Sequence, residues 1–319
     1  WGSDESLKPL VQKYQNGKIK LAIAPDQPRW ILSQAFNLAA QLTTRSMILK
    51  IDADTEILPG FFKRHQLSPG IFYCGNWRLA RNENEAHLNG NMFLYRSDFF
   101  KVNGYNEFVK TYGWDDSDLY NRLESSGVSR KDLDFQVLHH IEHRDRMLHQ
   151  KTSSFPAISD EERARLNIFI NRYLAGKIEK WSSSNQMMNF TIRHIDCQTY
   201  LCHQDGEDIN TISSGLLREA ERVAMLDRIA EIGFELPLEI TGLLTQAEIS
   251  ELYVFLISEI PNVSGSIQEV IKKINDREYQ AEPKILDFIT RLNREIARRA
   301  ETINASCNIH DDPVTVKEK

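Results

Sequence analysis

The sequence predicts an α/β fold, with a mixed sheet flanked by helices, followed by a mostly helical C-terminal region. In the first half, short apolar runs end at acidic residues or at glycine turns, as strands do at a sheet edge. Segments with apolar residues at helical spacing follow several of these runs, and helical patterns dominate after Thr211. With 319 residues and 41% hydrophobic content, we expect two domains, residues 1–180 and residues 181–319.

Composition excludes some classes of partner. Lys and Arg number 39 against 45 Asp and Glu, a net charge of -6, so a basic surface for nucleic acid is not expected. No apolar run approaches the ~20 residues that span a bilayer, so no transmembrane segment is expected. The four cysteines show no paired metal spacing and are interpreted as free thiols of a reducing compartment. We therefore expect a cytoplasmic protein, with a peripheral position at the inner face of the membrane left open.

Two aspartates follow an apolar run in K-I-D-A-D-T-E-I-L-P, which begins at Lys50. Because a strand alternates its side chains, Asp52 and Asp54 are expected to point the same way where the strand leaves the sheet. Such a pair of hard oxygen ligands suits Mn²⁺ or Mg²⁺ held against a diphosphate. A solvated surface turn is the alternative, and it is favoured when the motif is taken alone.

A second group of acids opens a predicted helix in G-W-D-D-S-D-L-Y-N-R-L. An N-cap with a further acid in the first turn, stabilised by the helix dipole, accounts for Asp115 and Asp118. It does not account for Trp114. An exposed indole beside paired carboxylates suits a sugar, because the ring stacks on a pyranose while the carboxylates accept hydrogen bonds from its hydroxyls.

Several histidines lie in F-Q-V-L-H-H-I-E-H-R-D-R. On an extended strand, His139 and His143 would share the apolar face that contains Phe135, and His140 would point the opposite way. One of these histidines could complete a metal site. A polar strand end with surface histidines is the alternative.

Together, these motifs in this order resemble the metal-dependent GT-A glycosyltransferases. The likeness is closest to the family 2 enzymes, the bacterial chondroitin-type polymerases, and the galactosyltransferase-type C-terminal region of animal β-1,4-galactosyltransferases and polypeptide GalNAc-transferases. It spans residues 1–150 and is most specific in L-N-G-N-M-F-L-Y-R-S-D-F-F-K-V-N-G-Y-N-E, G-W-D-D-S-D-L-Y-N-R-L and I-E-H-R-D-R. The resemblance implies a Rossmann-like GT-A sheet whose N-terminal strand is missing here.

The resemblance also implies roles for individual residues. Asp52 and Asp54 are similar to the family's D-x-D, with Asp54 as the direct metal ligand and Asp52 on the nucleotide-sugar, and His143 is similar to its metal-binding histidine. Asp116 resembles the catalytic base of the inverting members, and Asp115 resembles the acceptor-binding acid.

Three further residues are assigned by the same likeness. Gly90 matches a small residue beside the donor sugar, although Asn89 stands where a second glycine is often seen. Asp4 is expected to retain part of the nucleotide contact. Asn37 matches the family's cofactor-side asparagine, but an ordinary polar residue of a helix explains it equally well.

The implied function is inverting transfer of a sugar from a UDP-sugar to a glycan or glycolipid acceptor, with Mn²⁺ or Mg²⁺ as cofactor. Asp116 would take the proton of the acceptor hydroxyl. The alternative is a catalytically inactive GT-A-like module for carbohydrate binding or assembly. A nucleotidyltransferase shares the acidic site, but it is usually recognised by a Gly-rich basic loop in a region that this sequence does not include.

The second half predicts further elements. Ser159 and Glu162 form a capping box before a helix that ends at Gly176, and alternating residues after Met188 predict a hairpin. Later helices are expected at 216–232, from a second capping box at Thr245 and Glu248 to before Pro261, near Ser266, and from 283, where an apolar stripe suits a bundle core. The same helices could bind a protein partner or form an oligomer.

Overall fold

The structure is a computed structural model. It describes residues 19–142, 158–177, 181–196, 198–236, 244–259 and 265–266, and the shorter pieces 9, 13–14, 241–242, 272, 287, 290–294 and 297–298. By its contacts the chain forms two compact units. The first contains residues 1–152 and 171–214, and the second contains residues 153–170 and 215–319.

A four-stranded mixed sheet organises the first unit. Its strands are β2 (Met47–Lys50), β4 (Ile71–Cys74), β5 (Met92–Tyr95) and β6 (Ser129–Asp132). They lie in the order β2-β5-β4-β6, with β5 antiparallel to both neighbours and β6 parallel to β4. Mixed α/β architecture with a mixed sheet flanked by helices is therefore confirmed.

Both faces of this sheet are covered, as the strand period of two requires. Phe72 and Cys74 pack on one face with Leu119 and Leu123 of a helix, whereas Tyr73 faces the other side. The helices of this unit are α1 (Leu32–Leu42), α2 (Phe61–Arg64), α3 (Glu83–Ala86), α4 (Arg96–Lys101) and α5 (Asp115–Ser125).

Two smaller sheets complete the first unit. Strands β3 (Thr55–Ile57) and β7 (Leu138–His140) pair in antiparallel fashion. The predicted hairpin after Met188 is confirmed as β8 (Phe190–His194) and β9 (Thr199–Gln204). Strand β9 also pairs in parallel with β1 (Leu21–Ile23), so this hairpin belongs to the first unit although it lies beyond the predicted boundary at residue 180.

The remaining elements are α6 (Asp160–Lys177), α7 (Ser214–Glu231), α8 (Gln246–Glu259) and the short pair β10 (Phe234–Glu235) and β11 (Gly265–Ser266). The helices predicted after Ser159, at 216–232 and after Thr245 are confirmed, and Gly233 takes a φ of 83° just beyond α7. The helices expected near Ser266 and from 283 lie mostly outside the described residues. No helix within the described part of the chain is both long enough and apolar enough to cross a membrane.

The two predicted capping boxes differ. At α8, Thr245 and Glu248 cap each other as expected. At α6, Ser159 accepts from the Glu162 amide, but the Glu162 carboxylate binds Arg228 and Tyr253 inside the second unit. The Glu162 carboxylate therefore belongs to a buried network of the second unit and does not complete the capping box.

Candidate active site

Asp52 lies two residues beyond the end of β2, and its position is fixed by the residue that precedes the neighbouring strand β5. Its backbone N–H donates to the Asn91 side chain at 3.0 Å, and Asn91 precedes β5. The antiparallel register opposes Lys50 to Met92. The end of β2 is therefore held beside the segment that contains Gly90.

Asp116 comes to the same place from the start of α5. The backbone turns sharply into this helix, with φ angles of 98° at Gly113 and 68° at Trp114. The expectation of an acidic N-cap is wrong, because Trp114 takes the N-cap position and Asp115, Asp116 and Asp118 all lie in the first helical turn. The Tyr105 hydroxyl donates to Asp116 Oδ1 at 2.8 Å. Helix start and tyrosine together set the orientation of the carboxylate.

The two carboxylates converge on Gly90. A Cβ atom on this glycine would lie 2.6 Å from Asp52 Oδ2 and 3.1 Å from Asp116 Oδ2. The other oxygen of each carboxylate faces Lys50, whose Nζ is 2.8 Å from Asp52 Oδ1 and 3.6 Å from Asp116 Oδ1. The absence of a side chain at position 90 therefore lets one oxygen of each carboxylate approach this residue closely.

Burial and charge shift the proton affinities in this cluster. Burial and the neighbouring Asp116 raise the pKa of Asp115 to about 7. Burial also raises the pKa of Asp116, against the opposing effects of Lys50 and Tyr105. Burial alone would lower the pKa of Lys50, but Asp116 and Asp52 hold it above its ordinary value. Titrating groups shifted by burial and by specific partners are typical of functional sites.

Asp54 and His140 form a second pair of side chains in the site. The register of β3 with β7 opposes Thr55 to His140, and this brings His140 Nε2 within 3.4 Å of Asp54 Oδ2. The other ring nitrogen, Nδ1, contacts the Asn84 side-chain oxygen, and the Asn84 amide group donates to the His140 carbonyl. An imidazole oriented in this way through its second nitrogen is a common arrangement for a metal ligand.

The expected strand face of the histidines is wrong. Residues Phe135–Val137 form a 3₁₀ turn instead of an extended strand, so the alternation begins only at Leu138. Leu138 and His140 are consequently buried, whereas His139 is exposed. His143, the predicted metal ligand, lies outside the described residues. Among the residues that are described, no three His, Cys, Asp or Glu side chains form a metal-binding group.

The other predicted site residues have different surroundings. Trp114 is half-buried, with the Arg172 guanidinium 5.9 Å from the centre of its ring. Asn37 is buried, and its amide group donates to the Tyr105 carbonyl and the Glu107 carboxylate. These contacts favour the structural interpretation of Asn37. Asp4 lies outside the described residues.

Two residues of the site were not predicted from the sequence, Lys50 and Tyr105, and both hold Asp116. His140, which faces Asp54, was one of the candidate histidines, but the ligand role was assigned to His143. A lysine that ends the apolar strand M-I-L-K is an available signal, because buried lysines are rare unless paired. Tyr105 had a weaker signal, since it follows Asn103-Gly104, a pair that tolerates the positive φ angles of 59° and 56° found there.

Comparison with known proteins agrees with part of this description. Residues 76–150 match the family model described as the N-terminal domain of galactosyltransferase. This match confirms the galactosyltransferase-type resemblance for the segment that contains Gly90 and Asp116. A search of curated proteins found no significant match.

Among solved structures, the chain is similar to a mutant of Drosophila β-1,4-galactosyltransferase 7 in complex with manganese, UDP-Gal and xylobiose. The identity is 14% and the TM-score 0.39, with 64% of this chain and 87% of that chain covered. It is also similar to the catalytic domain of the same Drosophila enzyme in complex with xylobiose. There the identity is 16% and the TM-score 0.38, with 59% and 79% covered.

Proposed function

We propose that the chain is an inverting, metal-dependent glycosyltransferase that moves a sugar from a UDP-sugar to a hydroxyl of a glycan or glycolipid. The observation that carries this proposal is the convergence of the Asp52 and Asp116 carboxylates on Gly90. Support comes from the galactosyltransferase match of residues 76–150, which include two of these three positions.

Asp116 is the proposed base. Its Oδ1 accepts from Tyr105 and faces Lys50, whereas its Oδ2 lies beside Gly90. The acceptor hydroxyl transfers its proton to this carboxylate while its oxygen forms the new bond to the anomeric carbon. The bond from that carbon to the diphosphate oxygen breaks on the opposite side, which inverts the configuration. General-base assistance of this kind contributes about 10²- to 10⁴-fold.

Asp54 and His140 fit the cofactor that the family implies, since one carboxylate and one oriented imidazole are ligands that Mn²⁺ accepts. His143 remains a predicted ligand with them. When bound, the cation supplies charge neutralisation at the diphosphate leaving group. We assign Asp52 to hydroxyls of the donor, and Asp115 with Trp114 to the acceptor sugar.

The test is UDP release from a panel of UDP-hexoses and UDP-N-acetylhexosamines, with Mn²⁺ and with simple glycan acceptors. Wild-type protein should release UDP in an acceptor-dependent way. Asp116→Asn should lose about 10²- to 10⁴-fold in kcat and still bind UDP. Asp160→Asn is the matched control, because its carboxylate lies on the surface of α6 and pairs with Arg163.

Two results would decide against the proposal. Near-normal turnover by Asp116→Asn would remove the base from its role. Sugar binding without UDP release from any donor would instead support the inactive carbohydrate-binding module. The compartment, and a partner or oligomer formed through the C-terminal helices, stay predictions.

A further inference from the structure

Lys50 is a buried cation at the centre of the site, and the proposed reaction gives it no role of its own. Its side chain is 4% exposed. Its ammonium donates to the Gly90 carbonyl at 2.6 Å, forms an ion pair with Asp52 Oδ1 at 2.8 Å and lies 3.6 Å from Asp116 Oδ1. The ring of Phe36 covers a further side, with its centre 4.8 Å from Nζ. Lys50 is therefore buried, and its ammonium is held between Gly90, Asp52 and Asp116.

The contacts of Lys50 divide the carboxylate oxygens into two sets. The Oδ1 atoms of Asp52 and Asp116 are the oxygens paired with the ammonium, and the Oδ2 atoms of both lie close to Gly90. A cation that attracts one oxygen of each carboxylate restrains how both groups rotate. The ammonium thus orients the two acids.

We propose that Lys50 is a positioning residue of the transfer reaction. Its ammonium fixes the carboxylates of Asp52 and Asp116 so that one oxygen of each converges beside Gly90. Lys50 acts through these two acids and does not touch the reacting atoms. This role rests on the proposed function, since it concerns the base and the donor contact of the same site.

A purely structural lysine is the competing explanation, and the kinetics of folded protein separate the two. If Lys50 only stabilises the fold, its replacement lowers the melting temperature but leaves kcat per folded molecule unchanged. If it positions the acids, kcat per folded molecule falls, because displacements near 1 Å at a reacting group cost about 10²-fold.

The experiment compares Lys50→Met with wild type in the UDP-release assay at saturating acceptor. Folded protein is quantified by circular dichroism and thermal melting. We expect a fall of about 10²-fold in kcat and a rise in donor KM. Lys110→Met is the matched control, because Lys110 forms an ion pair with Asp208 elsewhere in the same unit. That variant should melt at a lower temperature and keep the kcat of wild type.

Lys50→Gln provides the same test if Lys50→Met does not fold, since glutamine keeps a donor for the Gly90 carbonyl but carries no charge. A wild-type kcat in either folded variant would overturn the role of Lys50 and leave the proposed function standing. Failure of the wild-type protein to turn over any UDP-sugar would overturn the proposed function, and this role with it.

Discussion

Replacing Gly90 by alanine adds one methyl group to the most crowded point of the candidate site. The new Cβ would lie 2.6 Å from Asp52 Oδ2 and 3.1 Å from both Asp116 Oδ2 and Lys50 Nζ. Contacts of 2.6 Å are too short to persist, so the Asp52 carboxylate must move. Gly90 lies outside the left-handed backbone region, so the effect comes from these contacts alone.

The size of the effect follows from this displacement. A shift near 1 Å in a substrate-binding or reacting group costs about 10²-fold in rate, which corresponds to about 2.7 kcal/mol of transition-state stabilisation. Adding a methyl group to a packed site destabilises a fold by about 1–3 kcal/mol. We therefore expect Gly90→Ala to lose about 10²-fold in kcat/KM and to unfold at a lower urea concentration.

Steady-state UDP release and urea unfolding measure these two effects. Gly176→Ala is the matched control, since nothing lies within 4 Å of a Cβ at that helical position. It should keep full activity and gain roughly 0.5–1 kcal/mol of stability from better helix propensity. Gly90→Ala with the kcat/KM and unfolding midpoint of wild type would show that the two carboxylates do not converge at this glycine.

Three further predictions concern other contacts. Tyr105→Phe removes the hydrogen bond to Asp116 Oδ1. Because hydrogen bonds to charged groups are worth about 1.5–3 kcal/mol, kcat should fall at least tenfold in the UDP-release assay. An unchanged kcat would contradict this orientation of the base. Burial raises the pKa of Glu107 above its ordinary 4.5, so its contribution to stability is full below that pH and is lost as pH rises through the folded-state pKa. Urea midpoints of wild type minus Glu107→Gln, measured across pH, should fall in that direction, and a flat difference would refute it. Arg228→Met leaves the Glu162 carboxylate buried without its cation, so the free energy of unfolding should drop by about 3–5 kcal/mol. Adding Glu162→Leu should recover part of this loss. No recovery would mean that the unpaired charge of Glu162 is not the cause.

The acids of the site could be predicted from the sequence because each lies in a short motif with local geometry. Asp52 follows a strand, and Asp116 opens a helix after a glycine turn. Their meeting at Gly90 depends on the pairing of β2 with β5, which neither the motifs nor their spacing predict. Local pattern and the family resemblance therefore identified the acids, and tertiary pairing decided which of their atoms converge.

The residues whose roles were not predicted are defined by contacts between segments far apart in the chain. From the sequence, Lys50 is only the last residue of a strand, and its role depends on the contact between its ammonium and the Gly90 carbonyl, forty residues away. His140 depends on a 3₁₀ turn three residues long, which shifts the alternation of the following strand by one residue. A one-residue shift moves every side chain to the opposite face, so this error was unavoidable from periodicity alone.

The parallel pairing of β1 with β9 has a consequence for synthesis of the chain on the ribosome. Residues Leu21–Ile23 pair with Thr199–Leu201, so β1 cannot pair until the ribosome has synthesised the chain beyond Leu201. The Glu107 carboxylate also lacks two of its hydrogen-bond donors until Met188 and Asn210 have been synthesised. A fragment that stops near residue 180 should therefore expose an open strand edge and a buried-type carboxylate, and we expect it to aggregate.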